Sequence, residues 1–106
     1  MLKYNLKDFV RGWFVGNFSP SIIKTDQVEV ACKTYSAGDY ENKHHHKIAT
    51  EITLIVSGSV LMSGVEYKTG DIIEISPGES TDFKVLTDTI TVCVKVPCVS
   101  GDKYND

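Results

Sequence analysis

The residues with the most chemistry to offer are His44, His45, His46 and, five positions beyond the last of them, Glu51; all three histidines of the chain lie in this stretch. In an extended strand alternate side chains share a face, so His44 and His46 point one way and His45 the other. A carboxylate five positions later, past a short loop, can return to the same place. Two imidazoles and a carboxylate on one side of a β-sheet can hold a divalent metal. They can equally act as general acid and base, since imidazole titrates near neutrality and a nearby carboxylate orients and tunes it. Alone, Glu51 would read as a solvent-facing strand-end carboxylate and His45 as a surface residue. Lys43 and Lys47 flank the stretch as solvated loop charges that would also draw an anionic molecule to its mouth.

The scaffold must supply a sheet. The chain has 106 residues, 42% hydrophobic and 24% charged, the composition of one globular domain, residues 1–106. Eleven basic against 14 acidic residues leave a formal charge of −3 without a basic cluster, which argues against nucleic acid as a partner. No apolar run approaches the roughly 20 residues of a membrane span, and the first residues lack the apolar core of a secretory signal. The three cysteines, Cys32, Cys93 and Cys98, are odd in number and form no CxxC pair, as expected of packing thiols in a reducing cytoplasm.

Along the chain, residues 1–11 form an arm without a clean period, and Trp13-Phe14-Val15 is a short aromatic strand bounded by glycines. From Gln27 to Tyr35 the pattern alternates, with Val28, Val30, Cys32 and Thr34 on one face and Glu29, Ala31, Lys33 and Tyr35 on the other. Glu51 to Val56 is a strand with Ile52, Leu54 and Val56 on an apolar face. If Glu51 faces a cavity, Thr53 and Ile55 line its continuation. Val60-Leu61-Met62 and Val65-Glu66-Tyr67 make a hairpin about Ser63-Gly64. Ile72–Ile75, Thr81–Leu86 and Asp88–Val96 are further strands, and the polar tail, 98–106, is expected to fray. Turn signals every eight to twelve residues and no helical period indicate an all-β sandwich or barrel.

At this point the sequence resembles the cupins, RmlC-like jelly-roll proteins built as a double-stranded β-helix. Their first motif is glycine, five residues, His-x-His, three or four residues, Glu, six residues, glycine. Gly38, His44, His46, Glu51 and Gly58 fall at each fixed position. In the second motif Gly70 and Gly78 match, but Ser76 stands at the proline, Thr81 at the histidine that usually completes a metal site, and Val85 at the asparagine. The resemblance covers residues 28–97. It implies a divalent metal (iron, manganese, zinc or nickel) on His44, His46 and Glu51, with open coordination positions. Strand parity turns Thr81 and Phe83 inward as substrate contacts and leaves Asp82 outside with Lys84.

Three functions follow from the resemblance. The first is a metal-dependent enzyme acting on a small polar or anionic molecule, a carbohydrate or organic acid, by Lewis-acid or dioxygen chemistry. The second is a metal-free isomerase or epimerase of sugar or sugar-nucleotide chemistry, with barrel histidines as bases, although Arg11 is its only arginine for a diphosphate. The third is a non-catalytic small-molecule binding module. The apolar Ile52-Leu54-Val56 face needs cover from the other sheet or from a partner, and a homodimer is expected.

Overall fold

The computed structural model describes residues 1–106, and it is built from strands. In chain order these are β1 (Trp13–Val15), β2 (Glu29–Tyr35), β3 (Tyr40–His45), β4 (Thr50–Ser57), β5 (Ser59–Met62), β6 (Val65–Lys68), β7 (Ile72–Ile75), β8 (Thr81–Val85), β9 (Thr89–Val96) and β10 (Tyr104–Asn105). Two single 3-10 turns, Leu6–Asp8 and Val10–Gly12, precede them. The strands form two five-stranded antiparallel sheets, ordered β1-β2-β9-β4-β7 and β10-β3-β8-β5-β6, facing each other as a double-stranded β-helix.

Alternation decides which side chains enter the barrel. On β4 the inner face is Glu51, Thr53 and Ile55, so one strand steps from a carboxylate through a hydroxyl into a fully buried aliphatic. Ile55 joins Val60, Met62, Ile75, Phe83 and Val85 in a core that fills one end of the barrel, with Tyr35 and Tyr67 packed against it. The polar end is left for the site. On β2 the inner face is Ala31, Lys33 and Tyr35, and on β9 it is Thr89, Thr91, Cys93 and Lys95. Two lysines therefore face the interior.

Two local features hold the site in register. Between Glu41, opposite Phe83, and His44, opposite Thr81, β3 carries one residue more than β8. This β-bulge lets Glu41 and His44 both face inward despite their odd spacing. Gly58, the closing glycine of the first motif, has φ 103° and passes so near β9 that a Cβ there would lie 2.3 Å from Thr89 Oγ1 and 2.5 Å from the Asp88 carbonyl. Only glycine fits.

The hairpin forms as expected, with Ser63 (φ 50°) and Gly64 (φ 79°) as its two-residue turn. The three cysteines are free thiols. The Ile52-Leu54-Val56 face points away from the opposing sheet: Ile52, Val56, Ile72, Ile90 and Val96 are exposed together on its outside. The tail departs from expectation. Instead of fraying, it adds β10 to the edge of β3 and buries Asp102, because its polar groups find partners in the histidine loop. No helix is long and apolar enough to cross a membrane.

Candidate functional site

His44 sits near the end of β3 and His46 just beyond it, where the chain leaves the sheet. Their rings lie 5.5 Å apart, edge to face. Each Nδ1 is tied to a main-chain carbonyl, His44 to Asn42 at 2.8 Å and His46 to Asp102. A carbonyl only accepts, so in both rings Nδ1–H donates and Nε2 is the nitrogen left to face other groups. His46 Nε2 is buried without a hydrogen-bond partner. It lies 3.5 Å from Glu51 Oε1, with both side chains largely enclosed.

Glu51 is held from two further sides. Thr53 Oγ1 donates to its Oε2 at 3.2 Å, and the Lys95 ammonium stands 4.0 Å from Oε1. Burial pushes the Glu51 carboxyl up, but His46, Lys95 and Thr53 outweigh it and hold the group below the ordinary carboxylate range. His46 is raised, chiefly by Glu51, against the opposing effect of burial and with help from the Asp102 carbonyl. Cys93, beneath them, is pushed up to about 12 by burial and by Glu51, so it remains a protonated packing thiol. Burial likewise raises the Tyr35 hydroxyl.

The loop presenting His46 is fastened by the tail. The Asp102 carboxylate accepts from the amides of Lys47 (2.9 Å), Ile48 (3.1 Å) and Ala49 (2.9 Å), three successive donors between His46 and β4. Burial pushes Asp102 up, yet these amides hold it below its ordinary value. His45, on the outward face, meets Asp106 at 2.9 Å and stacks on Tyr104 at 5.4 Å. It is therefore a docking point for the tail rather than a free surface group. Lys47 lies over the Tyr104 ring at 4.2 Å, away from the mouth where an anion-drawing role would place it. Asp102 escaped the sequence reading because it lies in a polar segment without period; the Gly101-Asp102 pair signals only a turn.

The inner cavity is about 60 Å³ and is walled by His44, Glu51, Thr53, Thr81, Phe83 and Lys95, among others. Thr81 pairs with His44 across the strands, but its hydroxyl donates to the Asp82 carbonyl (2.7 Å) and accepts from Ser63 (3.0 Å). Phe83 is buried and packs on Tyr35 with ring centroids 5.0 Å apart. Asp82 faces Ser63 and Tyr40, on the outside as parity requires.

His44, His46 and Glu51 are thus neighbours, but they are not drawn into a preformed cluster of metal-ligand geometry. His44 and Glu51 wall the inner cavity, whereas His46 borders a neighbouring depression beside Ala49 and meets Glu51 from there; two tethered imidazoles, an orphaned buried nitrogen and a carboxylate nonetheless form a donor set that suits a divalent cation.

No family model matches the chain, and no curated protein matches it. Solved structures do. A conserved double-stranded β-helix protein from Klebsiella pneumoniae superposes with a TM-score of 0.72 at 18% identity, over 97% of this chain and 89% of that one. KdgF from a Halomonas species gives 0.65 at 18% identity, over 72% and 74%. The oxalate decarboxylase of Bacillus subtilis, with its Mn(II) centres, gives 0.63 at 14% identity, over 76% of this chain but only 24% of that one. Together with the two facing sheets, these likenesses identify the fold: the chain is a double-stranded β-helix of the cupin type.

Proposed function

We propose that this protein is a metal-binding cupin whose barrel mouth takes a small polar or anionic molecule, with His44, His46 and Glu51 as the metal ligands. The observation that carries this reading is the paired tethering of the imidazoles. Both Nδ1 atoms are spent on main-chain carbonyls, and His46 Nε2 is buried with no hydrogen-bond partner beside Glu51. In a histidine–carboxylate acid–base dyad the carboxylate orients Nδ1 and leaves Nε2 to act. Here Glu51 lies on the Nε2 side, so carboxylate and imidazole face a common point where a cation would satisfy both. A bound divalent metal would supply Lewis-acid polarisation or dioxygen chemistry. The chain's own residues do the rest: Thr53 holds the Glu51 carboxylate, the Asp102 carbonyl orients the His46 ring, and Phe83 packed on Tyr35 forms an apolar part of the cavity wall. A decarboxylase with Mn(II) centres among the fold neighbours is compatible with this.

A second reading rests on Lys95. Its ammonium already stands 4.0 Å from Glu51 and supplies a cation without any metal. In that case the pocket works as a metal-free sugar isomerase or epimerase, with His46 as base, or as a binding module.

Elemental analysis of tag-free protein decides between them. Near-stoichiometric metal, lost in His46→Ala, is expected; protein that stays metal-free after reconstitution with iron, manganese, zinc and nickel would sink the metal reading. Retained turnover of sugar substrates in strong chelator would favour the second. The proposal includes a homodimer built on the outer face of Ile52, Val56, Ile72, Ile90 and Val96, since nothing in the chain covers those side chains. Light scattering on a size-exclusion column should give twice the chain mass.

A further inference from the structure

An acidic protein has gathered cations at one depression. A vestibule of about 780 Å³ opens beside the barrel and is lined by Lys7 and Arg11 from the N-terminal arm, Lys33 from β2, Lys95 from β9 and Lys103 from the tail. Glu41 is the only carboxylate in that wall. Five of the chain's 11 basic side chains therefore share one wall in a molecule whose formal charge is −3. Lys33, Lys95 and Lys103 also wall the inner cavity that holds His44 and Glu51, so the two spaces adjoin.

These charges are not neutralised within the protein. Of the five, only Lys95 has a carboxylate within 4.0 Å, and that carboxylate is Glu51, which His46 also faces. Lys33 and Lys95 point inward from their strands, each with its ammonium 5.1 Å from the Trp13 ring. The aromatic ring steadies both cations without cancelling their charge. Inward, like-charged ammonium groups repel and lose hydration, a cost that an anionic ligand would relieve.

We propose that this vestibule binds a small polyanion, an organic molecule bearing two or more carboxylate or phosphate groups, with Lys33 and Lys95 holding one anionic group beside Glu51 and Arg11, Lys7 and Lys103 holding another. One oxyanion group engages two or three cations, and the cations arrive from four separate segments, which is more than a single group would use. The proposal names the ligand class of the same barrel mouth. It rests on the metal reading only in placing the ligand beside Glu51, and it requires no bound metal.

Titration calorimetry on chelator-treated, tag-free protein tests it, using fructose 1,6-bisphosphate, tricarballylate and fructose as probes. At least one polyanion should bind, weakening as salt rises, and fructose should not. The arm that binds more tightly identifies phosphate or carboxylate as the preferred group. The Lys33→Gln/Lys103→Gln double variant should lose at least tenfold in affinity with an unchanged melting temperature, while Lys84→Gln, on the outside of β8, should match the parent. His46→Ala should keep its polyanion affinity even though it is expected to lose metal, so failure of the metal reading leaves this result intact. Absence of binding by both polyanions at millimolar concentration, equal binding of fructose, or full affinity in the double variant would each overturn the proposal.

Discussion

Asp102 meets His46 twice over: its main-chain carbonyl accepts a hydrogen bond from the imidazole Nδ1–H, and its carboxylate accepts from the three amides that follow His46 in the chain. One residue of the tail thus fixes both the tautomer of a candidate ligand and the loop that carries it. Asp102→Ala leaves three amides without their acceptor, that of Ala49 in a buried position. The cost expected is about 3 kcal/mol of folding stability, given the strength of charge-assisted hydrogen bonds. The carbonyl that orients His46 survives the substitution, so metal affinity should fall through loosening of the loop alone, by less than the roughly 10–100-fold that follows loss of a metal histidine's outer partner. Urea unfolding and competitive metal titration measure the two effects; an unchanged denaturation midpoint would show that the loop holds itself.

The same residue predicts an acid limb. Asp102 and Glu51 are both held below their ordinary values of 3.8 and 4.5. A depressed carboxyl contributes stability that is complete above its unfolded pKa and is lost as pH falls through the folded one. His46 has the opposite sign: raised above 6.5, it contributes below that value and the contribution fades as pH rises through the folded pKa. Metal-free protein should therefore be most stable between these two limits, losing stability as pH falls below about 4 and again as it rises beyond about 6.5. Thermal melts across pH should show both limbs, with Asp102→Asn flattening the acidic one. A profile unchanged by that substitution would remove Asp102 from the account.

Gly58→Ala should destabilise by about 2–4 kcal/mol, because its Cβ would collide with Thr89 and the Asp88 carbonyl at a φ that L-residues rarely adopt. Gly38→Ala makes the comparison: it too has positive φ, but nothing lies within 4 Å of its Cβ. Its loss should be about 1 kcal/mol, from backbone strain alone. Equal melting temperatures for the two variants would contradict the close approach of β4 to β9.

Much of this was legible in the sequence, and what was not has identifiable causes. Alternation placed Glu51, Thr53 and Ile55 on one face, and the glycine spacing about His44, His46 and Glu51 pointed to the double-stranded β-helix that the sheets display. Lys33 and Lys95 were harder to see. Parity groups Lys33 with Ala31 and Tyr35, and Lys95 with Thr91 and Cys93, but a lysine on a strand ordinarily reads as the solvent side. Only the closure of the barrel turns that face inward. Glu41 depends on a bulge that alternation does not encode, and Asp102 reaches its three amides by tertiary docking of a segment whose composition says only that it is polar.

Ile90→Lys/Val96→Lys tests the outer face. Both side chains project from β9 away from the barrel, near Ile52 and Val56 of β4, so the substitution adds charge to the proposed subunit interface without touching the core. A monomer with a melting temperature close to or slightly below that of the parent is expected in light scattering. A dimer that persists in the double variant would place the interface elsewhere.

Lys95→Gln separates the two readings of the site. With its ammonium 4.0 Å from Glu51 Oε1, Lys95 competes with any divalent cation for the same oxygen. Two unit charges at that distance interact by about 4 kcal/mol at an effective dielectric of 20, and partial exposure reduces this further. Removing the competitor should therefore tighten metal binding by about tenfold, or roughly 1.4 kcal/mol, in a fluorescent-chelator competition assay. If Lys95 is instead the site's own working cation, the variant binds metal no more tightly than the parent and loses turnover of a metal-independent substrate. The first outcome keeps His44, His46 and Glu51 as ligands; the second transfers the chemistry to His46, Glu51 and Lys95.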